Sequence, residues 1–251
     1  MKKLALVFPA LALTALLFSA CAPVTPAAPA AEAAVSATWT QEHISSVPPI
    51  LMRDPFLELL GQTEEPIPYT YEEVVKLSGH SCGATAGAWI ITKKALEALY
   101  PGETPVRGQI LIHAPGAEDE WHVGVFGEVM TYITGAAPKT GFSGAEFGKG
   151  DTLYIRRNKM TYAEEPSNTP PPQMEWIFER ADTGKKVSVK YNVMAVQPAA
   201  SEEWTAMGVK MASGKATSEE AAEYVKYWNE RAAFVFLNAD KEGLFTATVL
   251  E

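Results

Sequence analysis

The chain has 251 residues, with 21 Lys and Arg against 30 Asp and Glu, a formal charge of −9. Removing residues 1–20 takes away two lysines and no acid, which moves the formal charge from −9 to −11. An acidic surface of this kind excludes nucleic acid and anionic lipid headgroups as partners, and the length that remains suits one large domain.

Lys2 and Lys3 give a short positive start, Leu4 to Phe18 carry no charge, and the small residues Ser19 and Ala20 stand directly before Cys21. A positive start, a short apolar stretch and a small-residue cleavage site make a secretory signal. The apolar run falls short of the roughly 20 residues a membrane span needs. Phe18-Ser19-Ala20-Cys21 resembles the bacterial lipobox, in which the cysteine becomes the lipidated first residue of the mature chain. The expectation is a signal over 1–20 and an anchor in the cell envelope, on the extracytoplasmic side, through lipid on Cys21. Residues 21–38 are mostly Ala and Pro with nothing large to bury, and read as a spacer. With Cys21 lipidated, Cys82 is the one thiol left, so no disulfide can form within the mature chain.

Residues 39–69 read as an irregular extension broken by five prolines, with one short helix at Pro55–Leu60. The main domain is expected over 70–251. Thr70 caps a helix through about Leu77, and Glu72 and Glu73 in its first turn suit the helix dipole. Gly79 ends it, and His80-Ser81-Cys82-Gly83 forms a turn. Ala84 to Leu99 has helical spacing with small residues at Ala84, Ala86, Gly87 and Ala88, which permits close packing against a sheet or against a second copy. Gln109–His113 reads as a strand and Val123–Thr134 as a helix. Gly148–Asp151 is a turn before a strand at Thr152–Arg156. Trp176–Arg180 and Val187–Val193 flank the turn residues Asp182-Thr183-Gly184 as a hairpin. Ser201–Met211 is a helix, Thr217–Glu220 is a capping box opening another to about Arg231, and Leu244–Leu250 is a last strand. The pattern predicts a single α+β domain with a mixed sheet packed by helices.

His80 and Cys82 stand two apart in a turn, where both side chains can converge on one ion; imidazole and thiolate suit zinc or a related transition metal. The N-terminus of the following helix carries partial positive charge, which favours an anionic sulfur. The same features suit a nucleophilic thiol, and equally a buried structural thiol beside a backbone-bonded histidine. His113 and His122 are the other histidines weighed. Glu128, a carboxylate in the apolar stretch 123–134, either meets a metal, pairs with Lys149, or faces solvent. Trp121, Trp176, Trp204 and Trp228 read as core or rim packing.

The order of motifs resembles the formylmethanofuran dehydrogenase E-subunit family. Gly79-His80-Ser81-Cys82-Gly83 is similar to its Gly-His-x-Cys-Pro-Gly start. Glu128 with Thr134-Gly135, Phe147 to Asp151, Asn158-Lys159-Met160, Thr183-Gly184-Lys185 and Gly214 to Thr217 follow in the family's order. The resemblance covers about Tyr71 to the C-terminus. It implies an α+β core, commonly homodimeric, whose His-x-Cys turn lines a metal or active site, with zinc the default ion. It also implies His122 as a third ligand, in the region where many members carry a cysteine. Departures are Gly83 in place of proline, Ala136 where many members have cysteine, and no C-terminal zinc finger. The family's name does not transfer as an activity, because formylmethanofuran chemistry is cytoplasmic and belongs to a multi-subunit molybdenum or tungsten enzyme.

Three readings follow. The first is a metal-binding envelope lipoprotein with ligands His80, Cys82 and His122, in which Cys82 and Glu128 would act if it catalyses a reaction. The second is a binding protein for a metal complex or small cofactor that feeds a transporter. The third is a metal-free reactive thiol at Cys82.

Overall fold

Asp54 shows how the stretch after Trp39 acquires order despite its prolines. Its carboxylate accepts from Phe56 N–H at 3.0 Å and from Leu57 N–H at 3.4 Å, capping a short helix. The computed structural model describes residues 37–144, 157–164 and 173–250. Cys21, the Ala/Pro spacer, Lys149 with its turn, and the strand expected at Thr152–Arg156 lie outside them. The extension carries α1 (Glu42–Ser45), β1 (Ile50–Met52), α2 (Pro55–Leu59) and β2 (Ile67–Tyr69). β1 and β2 pair antiparallel, with Ile50 opposite Tyr69. Ile44, Ile50, Met52 and Tyr69 are buried in the main hydrophobic core, so this segment is more ordered than its composition predicts.

α3 (Tyr71–Ser78) opens with a reciprocal capping box between Thr70 and Glu73 and closes at Gly79, where φ is 74°. α4 (Gly83–Leu99), β3 (Ile110–His113) and α5 (Trp121–Thr134) follow, then β4 (Met160–Thr161), β5 (Gln173–Arg180) and β6 (Lys186–Asn192). α6 (Glu202–Ala212), α7 (Ser218–Leu237) and β7 (Phe245–Leu250) complete the order. α7 extends past the expected Arg231, because Ala232 and Val235 continue its buried face. β4 was not expected; it pairs parallel with β3, while β3, β5, β6 and β7 pair antiparallel in succession. The five strands run in the order β4-β3-β5-β6-β7, a mixed sheet, and the fold is α+β. Among the described residues no helix is long and apolar enough to cross a membrane.

Alternation along the strands separates the two faces of the sheet. Ile110, Ile112, Trp176, Phe178, Val187, Val189 and Tyr191 are buried in the core. The other face carries cross-strand ion pairs, Lys186 with Glu179 at 3.3 Å and Lys190 with Glu175 at 3.4 Å. The small residues of α4 serve the approach to this sheet: a side chain at Gly87 would stand 2.3 Å from Tyr191 Cε1.

Two contacts fix the direction of α4. Lys185, just before β6, donates to the Ala98 carbonyl at 2.6 Å, and Tyr191, near the end of β6, donates to the Gly83 carbonyl at 3.1 Å. α4 therefore runs antiparallel to β6. α5 runs antiparallel to β3, since Gly108, just ahead of β3, donates to the Thr134 carbonyl at 2.9 Å. β3 and β6 are both antiparallel to β5. They share a direction, so α4 and α5 pack side by side with their N-termini at one end of the domain.

Candidate functional site

The left-handed Gly79 releases the chain from α3, and Cys82, in extended backbone (φ −153°, ψ 176°), is the N-cap of α4. Extended backbone alternates its side chains, and Ser81 decides which way they point. Ser81 is buried, while His80 is exposed and Cys82 half-buried. His80 and Cys82 thus flank an inward serine, and the Cys82 sulfur faces the first turn of α4, 3.8 Å from the buried Thr85 hydroxyl. Trp228 of α7 donates its indole N–H to the Ser81 carbonyl at 2.7 Å, and its ring lies 6.0 Å from that of His80.

His80 Nδ1 lies 2.9 Å from the Ser78 carbonyl oxygen. A carbonyl only accepts, so Nδ1 carries the proton and the neutral ring presents its lone pair at Nε2. A backbone carbonyl on the far nitrogen is how metal-ligating histidines are commonly oriented. Cys82 N–H donates to Thr85 Oγ1 at 3.0 Å, and the Thr85 hydroxyl lies 3.2 Å from the Cys82 carbonyl oxygen and 3.8 Å from its sulfur.

His122 lies in the first turn of α5, at the same end of the domain as Cys82, and its Nε2 is 2.9 Å from Glu120 Oε1. Glu128 is exposed on α5, about two-thirds of a turn around the helix from His122. Lys149, one partner open to Glu128, lies outside the described residues. His113 projects to the opposite face of the sheet from the core, with Nδ1 2.8 Å from Thr161 Oγ1 and Nε2 4.0 Å from Glu179. Among the described residues, no three His, Cys, Asp or Glu side chains form a group that could hold one metal ion. The turn holds His80 and Cys82 two residues apart, and among the described residues neither His122 nor Glu128 joins them in a ligand group.

Sequence reasoning passed over His43. Its Nε2 lies 3.0 Å from Ser81 Oγ, across a separation of 38 residues. Ser81 Oγ is 2.9 Å from Tyr71 Oη, which is 3.0 Å from Thr85 Oγ1. Burial pushes the Tyr71 phenol up to about 12 and holds His43 below the usual imidazole range. A four-residue helix among prolines gave no signal that its histidine would reach the turn.

Of the remaining motifs of the resemblance, Thr134-Gly135 and Asn158-Lys159 serve as scaffold near the C-terminal end of α5, and Phe147 to Asp151 lie outside the described residues. Gly135, at φ 73°, ends α5, and Arg157 Nη1 and Arg107 Cγ stand 3.1 and 3.2 Å from where its side chain would be. Both guanidinium groups reach the buried Asp54 carboxylate, Arg157 at 3.1 Å and Arg107 at 3.3 Å. Burial lowers the Arg157 pKa and the Asp54 charge works against that. Asn158 donates to the Pro138 carbonyl at 2.7 Å, and Lys159 Nζ donates to the Gly108 carbonyl.

No protein-family model matches this chain, and no curated protein matches it.

Proposed function

We propose that this chain is a bacterial lipoprotein, anchored outside the cytoplasm through lipid on Cys21, that binds a transition metal through His80 and Cys82. Zinc is the default ion, since one imidazole and one thiolate are donors it favours. The observation that carries the reading is the inward Ser81. It stands between the exposed His80, whose Nδ1 is held by the Ser78 carbonyl at 2.9 Å, and the half-buried Cys82 at the N-cap of α4. The resemblance to the formylmethanofuran dehydrogenase E-subunit family supports the same turn. His122 is the candidate third ligand, because parallel α4 and α5 put it at the same end of the domain. An ion there would supply Lewis acidity and keep a position for water or another ligand. If a reaction occurs, Glu128 is the candidate for proton transfer.

A second reading is favoured by one observation: among the described residues no three His, Cys, Asp or Glu side chains gather as a ligand group. A metal that arrives already held by a small ligand needs few protein donors, which suits a binding protein that passes a metal complex to a transporter. The two readings share His80 and Cys82.

Cobalt(II) titrated into the full chain tests the ligand pair. The expected result is a sulfur-to-cobalt charge-transfer band, lost in Cys82→Ser and weakened in His80→Ala, with Glu128→Gln unchanged. No band in the wild-type chain would sink the metal reading and leave the reactive thiol.

A further inference from the structure

The hydroxyl groups behind the turn form a continuous chain. From His43 Nε2 it passes to Ser81 Oγ at 3.0 Å, to Tyr71 Oη at 2.9 Å and to Thr85 Oγ1 at 3.0 Å, and ends at Cys82. Ser81, Tyr71 and Thr85 are all buried, at 7 %, 0 % and 0 % exposure. His43 is half-buried, and it lines a groove of about 540 Å³ together with Trp89, Lys94, Phe236 and Asp240.

Each hydroxyl in this chain has one proton to give. Thr85 Oγ1 already accepts the Cys82 N–H, so its proton goes either to Cys82, where carbonyl and sulfur stand at 3.2 and 3.8 Å, or back to Tyr71. That choice propagates. If Thr85 donates to Cys82, Tyr71 donates to Thr85, Ser81 to Tyr71, and His43 Nε2–H to Ser81. If Thr85 donates to Tyr71, every bond reverses and His43 Nε2 must accept. Mixed orders leave two donors or two acceptors facing each other in a buried site, which is costly.

We propose that His43 is a positioning residue of the Cys82 site: through Ser81, Tyr71 and Thr85 it sets whether the Thr85 hydroxyl donates to Cys82. This rests on the reading of Cys82 as the site's sulfur, and does not require that the bound partner be a metal. An imidazole that donates at Nε2 turns the chain toward Cys82, and one that accepts turns it away. The sulfur is thereby coupled to a side chain with which it makes no direct contact.

The test is a double-substitution cycle on the full chain, with two readouts: alkylation of Cys82 by iodoacetamide in chelator-treated protein, and the position of the sulfur-to-cobalt band. Tyr71→Phe keeps the ring and cuts the chain; Ser81→Ala cuts it at a second link, should the first variant not fold. His43→Phe alone is expected to change the alkylation rate several-fold and to move the cobalt band. In the Tyr71→Phe or Ser81→Ala background the same substitution is expected to change neither. Equal effects of His43→Phe with the chain intact and cut would overturn the proposal, as would no effect with the chain intact. If the wild-type chain gives no cobalt band, the metal reading fails, and the alkylation arm still decides the role of His43.

Discussion

The indole N–H of Trp228 reaches the Ser81 carbonyl at 2.7 Å across 147 residues of sequence, tying α7 to the backbone between His80 and Cys82. This bond and the Ser81 hydroxyl contacts hold one residue from two sides, and that residue orients the pair that flanks it. Trp228→Phe keeps an aromatic ring and removes the donor. It is expected to cost about 1 kcal/mol, and to weaken zinc binding several-fold in a competition titration while the stoichiometry stays unchanged. Unaltered affinity would mean that α7 does not position the turn.

Gly87 and Gly83 lie on the same helix but meet Tyr191 differently. A side chain at Gly87 would stand 2.3 Å from Tyr191 Cε1, whereas one at Gly83 would stand 3.9 Å from Tyr191 Oη. Alanine at 87 gains up to about 1 kcal/mol of helix propensity, against about 1–3 kcal/mol for overpacking. The clash wins, so Gly87→Ala is expected to lower the thermal midpoint and Gly83→Ala to leave it nearly unchanged. Equal midpoints for both variants would contradict the packing of α4 on β6.

Asp54 is 2 % exposed and is the carboxylate shared by Arg107 and Arg157. Asp54→Asn preserves shape and leaves the buried Arg157 and the half-buried Arg107 guanidinium groups without their counter-charge. The expected loss is about 3–5 kcal/mol in urea unfolding. A loss under about 1 kcal/mol, the scale of an exposed pair, would show that the cluster does not tie the N-terminal extension to the domain.

Burial raises the phenols of Tyr71 and Tyr100 to about 12 from an ordinary 10.0. The folded pKa lies above the unfolded one, so the fold holds these protons more tightly. The stability this gives is complete below about pH 10 and is lost as pH rises toward about 12. The urea midpoint is therefore expected to fall between about pH 10 and about pH 12, and less steeply in Tyr71→Phe. A parallel fall in the variant would show that Tyr71 does not contribute to this pH dependence.

Much of the fold was legible because its signals are local. Thr70 with Glu73 and Thr217 with Glu220 are capping boxes written within four residues, and both form. The turn at Asp182–Gly184 joins β5 and β6 as the expected hairpin. What escaped the sequence is contact across distance. β1 and β2 are three residues each and are ordered by pairing with one another. Asp54 meets Arg157 across 103 residues, and His43 meets Ser81 across 38. His80 and Cys82 could be singled out from spacing and chemistry; that Ser81 orients them could not, because its partners come from α1, α3 and α7.

Elemental analysis of the full chain, purified in detergent without chelator beside Cys82→Ser and His80→Ala, tests the metal site most directly. The expected result is about one equivalent of a transition metal in the wild-type chain, lost from both variants. No metal under metal-replete conditions, or the same occupancy in the variants, would contradict a site built on His80 and Cys82.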